Sequence, residues 1–341
     1  MRSNRLAILK FITVITTCFT LLVITLGAYT RLVDAGLGCP DWPTCYGHLW
    51  GPEGSFEVKE ANSNFPLAPV DLAKTWPEMT HRYLAASLGL FCLIIFALSW
   101  SVHHYKHSKL LKHASLLICL VILQGMFGMW TVTLKLWPQV VTLHLLGGFL
   151  TFSLLLLFYL RLSPVKLIPA NKKLKTLAAF CLALTLCQVA LGGWVSSNYA
   201  ALACLQLPLC SMSGLSSNDF IQGFNLFQQI GPNYLGGQLD ATSRVAIHAS
   251  HRLGAVLVLI TITALATSLA RKGCIREAIV LFALLSVQIL LGMANIYFHL
   301  PLYNAVAHNL GGAILVGFLI YLNYRLSSNF RAYTGSPKKD C

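Results

Sequence analysis

Eight stretches of this chain, roughly 11–30, 79–100, 114–134, 139–160, 174–197, 245–269, 277–298 and 303–324, each run for about 20 residues with hardly a charge. That is the length a helix needs to cross a bilayer's hydrocarbon. There every backbone N–H and C=O must be satisfied internally, which leaves little besides helices. The composition agrees, with 56% hydrophobic residues, 11% charged and mean hydropathy +0.67 over 341 residues. The chain reads as an all-α membrane protein of eight transmembrane helices.

A net charge of +14 could suggest nucleic acid, but its placement argues against that. Basic residues cluster at Arg2, Arg5 and Lys10, at Lys106, Lys109 and Lys112, and at Arg161, Lys166, Lys172, Lys173 and Lys175. They return at Arg271, Lys272 and Arg276, and at Arg325, Arg331, Lys338 and Lys339, so 18 of 25 lie at the termini and on every second connection. The other connections hold 9 of the 11 acids. The positive-inside rule then puts both termini in the cytoplasm, with anionic lipid as the partner of the basic face. The first apolar run is too long for a signal peptide's core and lacks a small-residue cleavage site, so it reads as a retained helix. With no Arg- and Ser-rich transit peptide, the expected location is a bacterial inner membrane.

The two long outer connections, about 31 to 77 and 198 to 244, each carry Cys-x5-Cys with an internal proline: Cys39 to Cys45 and Cys204 to Cys210. The pairs are 165 residues apart, as are Gly27 and Gly192. Gln124 and Gln288, Gly128 and Gly292, and His144 and His308 are separated by 164, His81 and His251 by 170. A repeat of this kind governs the whole architecture. The chain reads as two tandem four-helix bundles, 1–163 and 164–341. An even number of spans per copy relates them by a pseudo-two-fold along the membrane normal. The glycines at 125, 128, 147, 148, 311 and 312 are expected to let helices approach closely. The polar segment from Met212 to Gln238 has no evident first-half counterpart, and the tail from Arg325 to Cys341 reads as poorly ordered.

Glu78-Met79-Thr80-His81-Arg82 and His248-Ala249-Ser250-His251-Arg252 each open a span, and a second histidine follows each, His144 and His308. Ionisable groups inside a membrane are costly and mark function by default. Counted from the outer ends of the predicted spans, all four lie two to six residues deep, within about 9 Å of the boundary at 1.5 Å per residue. Two imidazoles facing across a bundle are a natural axial pair for haem iron; a lone histidine of this kind would read as a helix-to-helix hydrogen-bond donor. His103, His104, His107 and His113 read as a solvated basic patch, and His48 and His299 as surface residues.

One chemical difference separates the copies: Glu78 stands where the second half has His248. At i and i+3, Glu78 shares a face with His81 and can serve as a proton-handling group beside a ligand; pairing with Arg82 is the structural alternative. Arg82 and Arg252 suit haem propionates by bidentate pairing and equally suit lipid phosphate. Cys18, Cys92, Cys119, Cys181 and Cys187 read as small buried hydrophobes, and Cys274 and Cys341 as facing a reducing cytoplasm. The outer cysteines favour two local bridges, Cys39 to Cys45 and Cys204 to Cys210. The second reads as structural; the first, with Asp41 and Trp42 between its cysteines, is open to a redox role.

Glu-x-x-His-Arg in the second span, His-x-x-Gly-Gly in the fourth, His-x-x-His-Arg in the sixth and the paired outer cysteines together resemble the haem A synthase family, over nearly the whole chain from Gly27 to Gly312. The resemblance implies an oxidoreductase acting on a CH group. It would oxidise the C8 methyl of haem O to a formyl, through hydroxymethyl and gem-diol stages, giving haem A for terminal oxidases. It further implies a haem b held through its iron by His251 and His308, substrate haem O at His81 and His144, a catalytic Glu78, and a link between activity and Cys39 and Cys45. Haem O synthase and a membrane electron acceptor are the partners it suggests; oxidant and oligomeric state stay open. Two rivals remain: a diheme b-type, quinone-linked electron-transfer cytochrome, and a transporter built from tandem repeats. No Pro/Gly-broken midspan pair supports the latter.

Overall fold

The computed structural model describes residues 2–103, 108–208, 210 and 214–327. Within them lie ten helices and no strand: α1 (Arg2–Leu32), α2 (Ser55–Asn64), α3 (Leu72–His103), α4 (Ser108–Thr133), α5 (Pro138–Leu162), α6 (Lys172–Ser197), α7 (Ser217–Gly223), α8 (Ala241–Ala270), α9 (Ile275–Tyr297) and α10 (Leu302–Leu326). All but α2 and α7 are long and apolar enough to cross a membrane. Each outer connection therefore contains a short helix, and the order long, short, long, long, long is written twice. Residues 211–213 lie outside the described ones, as do Lys106, His104, His107 and the tail from residue 328.

Two helices start earlier than hydropathy predicts. Pro77 suggests a boundary, yet α3 is helical from Leu72 with the proline inside its second turn, where the ring forfeits one amide bond of the ladder. α8 starts at Ala241 because Asp240 caps it, its carboxylate accepting from Ser243 N at 2.8 Å. His81 therefore stands nine residues after Leu72 and His251 ten after Ala241, about 14 Å down their helices. His144 and His308 stand six residues after Pro138 and Leu302. His81 and His251 thus stand further from their helix starts than from the starts of the apolar runs, because both helices begin before the runs do.

Helices α1, α3, α4 and α5 pack around one apolar core that includes Leu9, Cys92, Ile95, Leu117 and Phe158. Helices α6, α8, α9 and α10 pack around another, with Cys181, Ile262, Leu265, Leu281 and Leu319. A third cluster joins them where α1 and α5 meet α6 and α10. It contains Ile24, Phe149, Phe152, Ala313 and Val316, with Leu156, Val189 and Ile320 partly buried against it, a set in which positions 164 or 165 apart recur. The left-handed turns repeat too: positive φ occurs at Asp34 and Tyr199, Lys135 and His299, Leu136 and Leu300.

Three sequence expectations change. His113 belongs to α4 and is 5% exposed, bonded to Arg161 at 3.0 Å and edge-on to Phe158, so it is no part of a solvated patch. Cys18, Cys119 and Cys187 are exposed on the outward faces of their helices, while Cys92 and Cys181 are buried; a thiol is apolar enough for either side of a span. Cys274 is buried at the start of α9.

Candidate functional site

The four histidines sit in four glycine seats. His81 and His144, from α3 and α5, face each other with ring centroids 6.4 Å apart and planes at 89°. A Cβ at Gly27 would lie 2.8 Å from His81 Cε1, and one at Gly128 would lie 3.5 Å from His144 Cε1. In the second half the same relation holds at 3.2 Å between Gly192 and His251 and 3.3 Å between Gly292 and His308. These glycines make room for imidazoles rather than for backbones. Likewise Gly147 and Gly311 admit Gln124 and Gln288, whose side-chain amide groups would come within 1.7 and 1.9 Å of a Cβ, while Gly125 has nothing within 4 Å. The repeat flagged Gly27 and Gly192 without revealing what they face.

Above His81, Glu78 is 4% exposed. Its Oε2 accepts from the Cys39 amide at 2.9 Å, and its Oε1 pairs with Arg82 at 2.5 Å. Arg82 also donates to the carbonyls of Thr44 at 2.7 Å and Pro43 at 3.2 Å. The second half repeats this frame with an imidazole in place of the carboxylate: Arg252 Nε donates to His248 Nε2 at 3.2 Å, and its terminal nitrogens donate to the carbonyls of Cys204 and Gln206. Both guanidinium groups thus hold the loops above them, and Glu78 and Arg82 form the i, i+4 ion pair that the sequence allowed.

Those loops are closed by disulfides, Cys39 to Cys45 and Cys204 to Cys210, each with a cis proline inside, Pro43 and Pro208. In the first, Asp41 accepts from the Thr44 hydroxyl at 2.6 Å and the amides of Tyr46 and Gly47 at 2.6 and 2.9 Å. Burial would raise its carboxyl, but these bonds outweigh burial and hold it below the ordinary carboxylate value. Asp41 therefore orders its own loop, while Trp42 is exposed.

The donor set suits a planar macrocycle. Among the described residues no three His, Cys, Asp or Glu side chains converge on one ion. Two imidazoles can serve a metal whose equatorial positions a porphyrin fills. With metal–nitrogen bonds of about 2 Å, two axial rings on one metal have centres about 6 Å apart, which the first pair matches. Its Nδ1 atoms, on His81 and His144, are buried without partners. His251 and His308 lie within electrostatic reach of each other.

Eight long apolar helices and histidines gathered in pairs define a multi-pass helical membrane protein with sites suited to a porphyrin. The chain belongs to the COX15-CtaA family, described as cytochrome oxidase assembly protein, whose model matches residues 10–320. It is 45% identical over 317 residues to the heme A synthase of Shewanella oneidensis, covering 92% of this chain and 94% of that one. It is 27% identical over 343 residues to the heme A synthase of Rhizobium rhizogenes, covering 92% and 86%. With that of Ehrlichia ruminantium it shares 28% identity over 327 residues, covering 89% and 88%.

Proposed function

We propose that this protein makes haem A, oxidising the C8 methyl of haem O to a formyl group, with the first half as the reacting site and the second as the holder of a resident haem b. The likeness to heme A synthases over nearly the full length of both chains carries the reading. The difference between Glu78 and His248 supports the division of labour, because a pocket that does chemistry needs a proton-handling group and one that stores a cofactor needs only ligands.

In this reading His81 and His144 bind haem O through its iron and present its edge to Glu78. His251 and His308 hold haem b, which when bound supplies a one-electron redox centre. Taking a methyl carbon to a formyl adds one oxygen at the oxidation level of water, releases four protons and gives up four electrons, which pass to the membrane electron acceptor proposed below. Glu78, freed from Arg82, accepts a proton at Oε1, or while ionised offsets positive charge on the substrate. Arg82 and Arg252 hold the disulfide loops as covers that exclude water, and in doing so place positive charge where propionates would lie.

The tandem-bundle arrangement, with halves 1–163 and 164–341 about a pseudo-two-fold, is supported by the repeated helix order and by the recurrence, in the cluster at the joint, of positions 164 or 165 apart. An inner-membrane location is supported by the bacterial relatives, and cytoplasmic termini by the placement of the basic residues alone. The basic connection after α5 also meets the end of α10, where Ile168 N bonds Arg325 O at 2.8 Å. Haem O synthase and an electron acceptor are its membrane partners, with anionic lipid on the basic face.

The test is expression in a bacterium that makes haem O and lacks haem A, followed by chromatography of acid-acetone-extracted haem. Haem A should appear. Unchanged haem O would overturn the reading and favour a diheme electron carrier.

A further inference from the structure

Beyond the exchange of Glu78 for His248, the two histidine sets differ in a further neighbour. Gln188, on α6, donates from its side-chain nitrogen to the His251 carbonyl oxygen at 2.8 Å and lays that nitrogen against the imidazole face, 3.1 Å from Nδ1 and 3.5 Å from Nε2. It reaches there because residue 254 is glycine: a Cβ on Gly254 would lie 2.2 Å from Gln188 Oε1. At the corresponding places, 165 and 170 residues earlier, the first half has Val23 and Leu84. Both belong to its apolar core, and the Nδ1 of His81 is left buried without a partner. One half thus has an amide and a notch to receive it; the other has two aliphatic side chains.

A histidine that ligates a metal keeps its tautomer and ring angle through a hydrogen bond at its second nitrogen. Here the ring angle is held from the face: the Gln188 amide, anchored on the His251 carbonyl and seated in the Gly254 notch, packs against both ring nitrogens. Gln188 Oε1 is buried without a partner. We infer that Gln188 is a positioning residue that fixes the His251 imidazole so that the second site retains its haem, whereas Val23 and Leu84 leave His81 free to turn as haem O enters and haem A leaves. The inference rests on the proposed function for the presence of a haem at each site.

The experiment uses the full chain purified with its haem, measuring haem b per chain, the reduced absorption spectrum and the midpoint potential. Gln188→Val removes the amide, and Gln188→Val with Gly254→Leu copies the first half and refills the notch. In both, haem b should be retained about tenfold less well. Gln188→Glu keeps the size but cannot donate to the His251 carbonyl, so it should lose haem b as the valine variants do. Haem content and potential unchanged in the valine variants would overturn the inference; if the single variant does not accumulate, the double one decides by the same criterion. His251→Ala separates the two levels. If haem b survives that change, the assignment of the second site fails. If His251→Ala strips haem b while the valine variants keep it at the wild-type potential, only the role of Gln188 falls.

Discussion

The backbone amide of Cys39 donates to Glu78 Oε2 at 2.9 Å, so the end of the first disulfide loop and the buried carboxylate move as one hydrogen-bonded unit. The loop's other arm returns through Thr44 to Arg82, which holds the opposite oxygen of the same carboxylate. Opening the bridge with Cys39→Ser and Cys45→Ser should therefore loosen Glu78. Conversion of haem O should fall while haem b per chain stays at the wild-type level. Equal loss of both would mean that the bridge serves only to keep the protein folded.

Glu78→Gln keeps the shape and the hydrogen bond from Cys39 but removes the charge that pairs with Arg82 and the site that takes a proton. General acid–base groups contribute about 100-fold or more. Haem A formation should drop by about that factor, with the haem b spectrum unchanged. Chromatography of extracted haem checks it, and conversion within a few fold of wild type would remove Glu78 from the chemistry.

Gly27→Val is the test of the glycine seats. A Cβ there lies 2.8 Å from His81 Cε1, too close for either to remain in place. The ring must swing out, and binding of haem O at the first site should be lost. Gly125→Ala, where nothing lies within 4 Å, should leave haem O binding and conversion unaltered. A haem titration followed by absorbance distinguishes the two.

Tyr199 donates to Asp34 Oδ1 at 2.7 Å, and its ring lies 4.1 Å below the Arg31 guanidinium, which itself bonds Ser196 O at 2.6 Å. Burial raises the Tyr199 phenol above its ordinary value of 10. The folded state thus holds this proton more tightly than the unfolded one, so the contribution is complete below the unfolded value and is lost as pH climbs through the raised one. Tyr199→Phe should cost about 1–2 kcal/mol at neutral pH and flatten the alkaline fall in thermal stability. Melting in detergent between neutral and alkaline pH measures both.

Eight spans, a repeated spacing, four histidines within them and Glu78 three residues before His81 all stand out in the amino-acid order, because membrane burial demands long apolar runs and makes any polar interruption conspicuous. The offset of 164 to 170 residues matched helices that the structure then packed in the same order twice. What lay beyond sequence were matters of direction and contact. Nothing in the order of residues says that Gly27 faces His81, that Arg82 and Arg252 turn up toward loop carbonyls, or that His113 is buried in α4. Caps and a tolerated proline moved the starts of α3 and α8 outward, past the point where hydropathy stops. Spacing along one helix fixes which residues share a face; which side chain meets them is decided by the helix packed opposite, and only the tertiary structure brings that partner into place.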